Sequence, residues 1–373
     1  MKYLCLILLA TSVTGRFTDD FYQQLAKDNA NKNLISSPLS AEIVMSMVYM
    51  ASGGKTAQEM RDVLKLPADK KEVARKYKDF LTNLEGREKV AILELANRIY
   101  VNDRYSLLPE FNKVVKDSFK AEAEAISVKD PQKAVSIINK WVKEQTRNRI
   151  KSIAEEKDIN PDLTVVLLNA IYFKGQWQEQ FNSSNTKKAD FRTADKKIVP
   201  VQMMSHFGKF RANYIPKLDA KVIELPYRNS SLSMVIFLPE KVDGLPELEK
   251  KIADFPAYIP VIQEVDLKLP KFKIEFKALL NDILEKMGIV AAFTDKADFS
   301  GLVQIPTKIS KVIQKAFIEV NEEGAEAAAV TGVIGSITLI ARPRPLVFNA
   351  DHPFAYIIRD EKTIYFQGHF VKP

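Results

Sequence analysis

The side chains best suited to catalysis are scarce in this 373-residue chain. It has three histidines, His206, His352 and His369, and its single cysteine, Cys5, lies near the N-terminus. The sequence contains no nucleophile elbow, no H-E-x-x-H metal motif and no glycine-rich phosphate loop. His352 precedes a proline and His369 precedes a phenylalanine, which favours structural roles for both. The chain is therefore predicted not to be an enzyme.

A run of small residues near the C-terminus predicts a different chemistry. Half of residues 324–331 are alanine, which favours a helix, but the flanking residues 317–320 and 337–340 are typical of strands. A segment with small side chains and no proline can enter a sheet as an added strand, because little volume has to be accommodated. We interpret this run as a segment that can join a sheet.

The rest of the chain carries the periodicities that would build such a sheet and its supports. Apolar spacing predicts helices over 17–26, 70–84 and 134–148. The last helix is expected to place four residues on its core face: Ile137, Ile138, Trp141 and Val142. Thr56 and Glu59 have the spacing of a capping box.

Strand patterns occupy the remaining regular segments. The almost continuously apolar run 163–173 predicts a central strand buried on both faces. Residues 91–100 favour a strand or a buried helix, and 232–239 favour a strand. Residues 267–276 are also strand-like, with a change of phase at Pro270 that a bulge or an edge would allow.

Several sequence motifs along the chain match those of one known family. They are the hinge-like run at 319–331, a short strand and Ser-Pro helix start at Asn33–Ser40, the phrase Leu168–Trp177, and the tail segments 345–354 and 364–368. The sequence resembles the serpins over nearly all of residues 17–373. The resemblance implies an α+β serpin fold, with about eight or nine helices around three β-sheets and an exposed reactive-centre loop at about 322–345.

The resemblance assigns roles within that loop. The hinge residues would be Glu322, Gly324, Ala325, Ala327, Ala329 and Thr331. In the inserted strand, the small residues from Ala325 to Thr331 at alternate positions would point into the protein, since strand side chains alternate between faces. Counting in the family frame places the reactive bond at Thr338–Leu339, and the bonds on either side stay open because loop length varies.

The residues around that bond restrict the protease that would cleave it. Arg342 and Arg344 each precede a proline, which has no N–H and an unsuitable φ for most protease sites. Thr338 instead favours an elastase-, subtilisin- or chymotrypsin-like protease.

The resemblance also indicates where the sheet would part. It places Ser37 and Asn169 at the parting point, called the shutter, and Trp177 near the top of the opening, called the breach. A buried asparagine needs a hydrogen-bond partner. Gln314 stands where the family commonly has a histidine; its amide can donate and accept, but it cannot titrate near neutral pH. We expect no pH dependence of opening through this residue.

The N-terminus and two sequons predict a secreted glycoprotein. Residues 1–15 combine Lys2, a short apolar run and small residues near the end, which is typical of a signal peptide; a single domain would follow over 16–373. The apolar run is shorter than the roughly 20 residues that span a bilayer. Candidate glycosylation sites are Asn182 and Asn229, each followed by Ser-Ser.

The net charge of +8 is a moderate excess of basic residues. In serpins a basic helix near residues 70–84 can bind heparin-like polymers, and Lys71, Arg75 and Lys78 would share one face here. The alternative, a solvated face diluted by Glu72 and Asp79, is favoured. No other cofactor, no metal site, no nucleic acid and no membrane partner are expected.

The resemblance implies a suicide-substrate inhibitor of serine endopeptidases. The cleaved loop would insert into the central sheet and trap the acyl-enzyme in a covalent 1:1 complex with a monomeric inhibitor. The alternative is a non-inhibitory serpin that acts as a carrier, chaperone or storage protein. Such members tend to have bulky, charged or proline-containing hinges, whereas the hinge here is small.

Overall fold

The computed structural model describes residues 15–85, 92–252, 259, 261–322 and 344–373. Within these ranges the chain forms helices α1 (Gly15–Asp28), α2 (Pro38–Tyr49), α3 (Gly54–Leu64), α4 (Lys70–Glu85), α5 (Pro109–Phe119), α6 (Pro131–Gln145), α7 (Leu245–Ile252) and α8 (Asn281–Lys286). None of these described helices is long and apolar enough to cross a bilayer. The predicted signal peptide lies outside the described residues except for its last position, Gly15.

The strands are β1 (Leu34–Ser36), β2 (Ile92–Asn102), β3 (Glu122–Ile126), β4 (Val165–Lys174), β5 (Lys187–Arg192), β6 (Ile198–Ile215), β7 (Ala220–Pro226), β8 (Ser233–Pro239), β9 (Ile262–Pro270), β10 (Phe272–Leu279), β11 (Ile309–Val320), β12 (Leu346–Asn349), β13 (Phe354–Arg359) and β14 (Ile364–Phe370). This mixture of helices and sheets confirms the predicted α+β class.

The described strands form two hydrogen-bonded sheets where three were expected. One is a five-stranded sheet in the order β10-β11-β4-β2-β3, and the other is a nine-stranded sheet in the order β1-β14-β13-β8-β7-β6-β9-β12 with β5 beside β6. The larger sheet is continuous because β6, 18 residues long, pairs in turn with β5, β9 and β7.

The central strand predicted from the apolar run is β4, and it is buried on both faces, as expected. Val165, Leu167 and Ile171 belong to the main core. Val166, Leu168 and Ala170, at the intervening positions, pack in a second core with α6. Apolar residues on both faces are what a strand covered on both sides requires, and the one buried polar exception in β4 is Asn169.

Three local predictions were wrong. Ile137 is 40% exposed, so the core face of α6 is made by Ala134, Ile138, Trp141 and Val142. Residues 267–276 are two strands in different sheets, since Pro270 ends β9 and Phe272 begins β10. Proline lacks the N–H that would continue the first ladder.

The capping box at Thr56 and Glu59 is also absent. Gly53 is the N-cap of α3. Thr56 Oγ1 instead accepts a hydrogen bond from the Asp298 N–H, and Glu59 accepts from the N–H groups of Val290 and Ala291. Both side chains therefore fasten α3 to residues 290–298, which a local spacing rule could not indicate.

Candidate functional site

The seam between β4 and β11 is the centre of the candidate site. The two strands are parallel and pair directly, from Val165 with Ile309 to Phe173 with Ile318. The other side of β11 is occupied by β10, which runs antiparallel to it. β11 ends at Val320, and the small-residue run begins four residues later, at Gly324.

This topology limits where a returning chain could enter the sheet. A segment that reverses direction after Val320 runs antiparallel to β11, and β10 already occupies one side of that strand. The β4 side is the remaining position. A strand inserted there would be antiparallel to both neighbours and would replace one parallel ladder by two antiparallel ladders, which are slightly more stable per residue.

A buried polar network crosses the seam at the register pair Gln314–Asn169. Gln314 Nε2 donates to Asn169 Oδ1 at 2.8 Å and to the Ser37 carbonyl at 2.9 Å. Gln314 Oε1 accepts from the Ser37 N–H at 3.0 Å. The structure therefore brings together three of the residues that sequence reasoning assigned to the parting point, Ser37, Asn169 and Gln314.

Two further members of this network were missed in the sequence. Asn169 Nδ2 donates to Ser40 Oγ and to Asn97 Oδ1, the second at 2.5 Å. Asn97 lies on β2 in register with Asn169, and Ser40 lies in the first turn of α2. Ser40 could have been found, because its N–H bonds to Ser37 Oγ as expected for an N-cap. Asn97 carried no comparable local signal.

Trp177 lies at the end of the seam from which the loop departs. Its indole Nε1 donates to the Asn321 carbonyl at 3.0 Å. Its ring stacks on Tyr227 with centroids 4.7 Å apart and an interplanar angle of 13°. The indole therefore connects the residue before the hinge to the hairpin of β7 and β8.

Glu322 is the one predicted hinge residue within the described ranges, and both of its carboxylate oxygens are held. Oε2 lies 2.7 Å from Lys271 Nζ, and Oε1 accepts from Thr186 Oγ1 at 2.7 Å. Burial raises the pKa of this carboxyl, but the hydrogen bonds from Lys271, Thr186 and its own backbone N–H outweigh burial, so the pKa is below its ordinary value. The start of the loop is anchored as a carboxylate.

The segment after α6 is fastened across the strands beside the seam. Asp158 accepts from Lys277 of β10 at 2.8 Å and from Lys311 of β11 at 3.1 Å, and Lys315 donates to the Ser152 carbonyl. Burial opposes ionisation of Asp158, but these lysines and the Glu155 N–H hold its pKa below the usual value. This strap, residues 150–162, was not predicted, because its partners lie more than a hundred residues away.

The other predicted sites divide between described and undescribed residues. Gly324, Ala325, Ala327, Ala329, Thr331 and the reactive bond Thr338–Leu339 lie outside the described ranges. Asn182 and Asn229 are both exposed, the second in a turn with a φ of 47°. Lys71, Arg75 and Lys78 are exposed on α4.

The histidines have structural surroundings. His369 is fully buried and lies between Glu249 and the Lys32 carbonyl, and His352 lies between Asp351 and the Pro239 carbonyl. His206 pairs with Glu179 at 3.1 Å. In the described part of the chain no three histidine, cysteine or acidic side chains form a group that could hold a metal ion.

Comparison with known proteins identifies one family throughout. The family model described as "Serpin (serine protease inhibitor)" matches residues 12–373. The chain is 50% identical to "Serine protease inhibitor 42Dd" of Drosophila melanogaster over the full length of both, and 35% identical to "Antitrypsin" of Bombyx mori over 95% of this chain and 92% of that one. Among solved structures, Serpin48 of Tenebrio molitor matches with a TM-score of 0.87 and 33% identity over 97% of both chains.

Proposed function

The chain belongs to the serpin family and has the serpin fold, and we propose that it inhibits a serine protease as a suicide substrate. The observation that carries the proposal is the position of Glu322, two residues after β11, relative to the seam. β11 leads directly into the anchored Glu322 and the small-residue hinge. The same strand forms one side of the parallel β4–β11 pair. The relatives named as a serine protease inhibitor and an antitrypsin support this reading.

The chemistry follows the ordinary acylation of a serine protease. The protease serine attacks the carbonyl carbon of Thr338, the peptide bond breaks, and the amine of Leu339 leaves with the proton supplied by the protease. The serine oxygen is then esterified to Thr338. Insertion of the freed segment must precede hydrolysis of this ester by water for the protease to remain attached.

Insertion of the cleaved loop into the sheet should release enough free energy to drive the rearrangement. A strand of about a dozen residues placed between β4 and β11 adds on the order of 10 kcal/mol, at about 1 kcal/mol net per hydrogen bond. This is comparable with the whole stability of a typical domain, about 5–15 kcal/mol. Extended at about 3.3 Å per residue, the fifteen residues from Gly324 to Thr338 would carry the protease about 50 Å.

The finer parts of the proposal rest on the sequence. Thr338 and its neighbours favour an elastase-, subtilisin- or chymotrypsin-like target. A 1:1 complex follows from the single ester bond of the acyl-enzyme, and we propose that the inhibitor is a monomer. Residues 1–15 and the exposed sequons at Asn182 and Asn229 support secretion and glycosylation. We infer that the protein consumes proteases stoichiometrically and is not itself a catalyst.

The test is to incubate the mature protein with elastase, subtilisin, chymotrypsin and trypsin. Denaturing gels should show a stable covalent band for at least one of the first three, and mass spectrometry should show release of a peptide that begins at Leu339. Cleavage without a covalent band for every protease would instead support a non-inhibitory serpin. A released peptide with a different N-terminus would correct the position of the bond.

A further inference from the structure

A cavity of about 400 Å³ lies at one end of the nine-stranded sheet. Its apolar walls include Trp177, Phe181, Phe210, Leu232 and Leu267. Its volume falls in the range of about 300–1,000 Å³ that small-molecule sites occupy. The serpin inhibitory mechanism proposed above makes no use of this space.

The polar side of the cavity is formed by a row of residues that lie side by side on three neighbouring strands. Strand register places Pro226 beside Ser233 and Ser233 beside Arg359, at the ends of β7, β8 and β13. All three line the cavity, as does Glu224 two residues before Pro226. The row therefore brings a basic and an acidic side chain to the same wall.

Arg359 is buried with most of its donors unused. Its side chain is only 7% exposed, and its Nη2 lies 3.7 Å from Glu224 Oε1, beyond hydrogen-bond distance. That oxygen already accepts from Ser233 Oγ at 2.7 Å. No other described residue accepts a hydrogen bond or forms an ion pair with this guanidinium. Its nitrogen atoms are not sealed from solvent, so they can accept a partner that enters the cavity. Burial lowers the pKa of Arg359, and the nearby Glu224 carboxylate opposes that shift.

Three other acidic residues line the cavity, and one of them, Glu361, is exposed to solvent. The other two are committed elsewhere. Glu179 pairs with His206. The Asp360 carboxylate accepts from the N–H groups of Lys362 and Thr363 and from the Tyr365 hydroxyl. A guanidinium can only donate, so the group that completes its hydrogen bonding has to be an acceptor, and a carboxylate matches its fork geometry best.

We propose that this cavity binds a small amphipathic monocarboxylate, such as a medium-chain fatty acid. The carboxylate pairs with Arg359 at the polar wall. The alkyl or aromatic body packs against Phe181, Phe210 and Leu232. The Glu224 carboxylate competes with the bound carboxylate for the guanidinium of Arg359, and this competition lowers the affinity for the ligand.

Trp177 lies in the wall of the cavity and can serve as a fluorescent reporter of binding. The chain has two tryptophans, and Trp141 lies on α6 in a different core. In a Trp141→Phe background, Trp177 fluorescence reports on the cavity alone. The probes are octanoate and 1-octanol, which have the same chain length and differ in the head group.

Octanoate should change Trp177 fluorescence saturably and should bind about tenfold or more tightly than octanol, as expected for a charge-assisted pair. Glu224→Gln keeps an acceptor for Ser233 and removes the competing charge, so it should tighten octanoate binding several-fold while leaving octanol unchanged. The double variant Glu224→Gln/Arg359→Met removes both charges together and should bind the two probes equally.

Two results would overturn the proposal. One is equal affinity for octanoate and octanol in the parent protein, and the other is no saturable response to octanoate up to about 1 mM, the weak end of specific binding. Melting curves without probe check that each variant is folded. If the double variant does not fold, the comparison of the two probes in the parent and in Glu224→Gln decides the question. The measurement needs no protease, so it is independent of whether inhibition is observed.

Discussion

Replacing Gln314 with leucine would test whether the buried network holds the β4–β11 seam together. Leucine is similar in size to glutamine, but the substitution removes the three hydrogen bonds that Gln314 makes with the Ser37 N–H, the Ser37 carbonyl and Asn169 Oδ1. All three partners are buried, so water does not replace the amide. At about 1 kcal/mol per lost bond the free energy of unfolding should fall by about 3 kcal/mol.

The assay is urea unfolding followed by tryptophan fluorescence, in which the midpoint should fall with little change in slope. The matched control is Gln263→Leu, because Gln263 is half-buried in β9 and donates one hydrogen bond, to the Ala212 carbonyl. This control substitution should lower the free energy of unfolding by about 1 kcal/mol. Equal losses for the two variants would refute the conclusion that Gln314 carries a network, and would reduce its role to that of an ordinary strand residue.

Three further predictions concern the loop and the surface. Ala327→Arg should bury an unpaired charge in the inserted strand and convert inhibition into simple cleavage, whereas Ala328→Arg should be milder; equal loss in a gel-based complex assay would contradict the face assignment. The lowered pKa of Glu322 means that its stabilising contribution is complete above the ordinary value of 4.5 and is lost as the pH falls through the lowered value. Glu322→Gln should therefore reduce the decrease in melting temperature between neutral and acidic pH, and unchanged acid sensitivity would argue against the anchor. The third prediction concerns α4, in which Lys71, Arg75 and Lys78 are changed together to alanine. Retention of this variant on heparin-Sepharose should stay unchanged if the basic face is solvated, and should fall if α4 binds polyanions.

The parts of the fold that were predictable depend on neighbouring residues. The continuous apolar run identified β4 as doubly buried, and the Ser-Pro phrase identified the start of α2, where Ser37 is the N-cap. The helix pattern over 134–148 was correct in type and wrong at Ile137, because periodicity indicates a face but does not show how far the covering layer extends. Serpin membership itself came from phrases that the family comparison then confirmed.

The parts that were not predictable join residues far apart in the chain. Thr56 and Glu59 satisfied a local rule, yet their side chains bind backbone groups at 290–298. Asn97 completes the network at Asn169, and Lys271 and Thr186 hold Glu322. No spacing in the sequence marks any of these pairs.

The sequence by itself determined the long regular segments that became α4, α6 and β4. It also determined which chain segment is small enough to join a sheet, and that Gln314 can both donate and accept. Only the tertiary structure decided that β4 and β11 are direct neighbours, that Glu322 is anchored, and that Arg359 lies buried beside a cavity. The physical reason is that backbone propensity and side-chain periodicity act over a few residues. Pairing across a sheet and burial of a charge depend on which distant segments the completed core brings together.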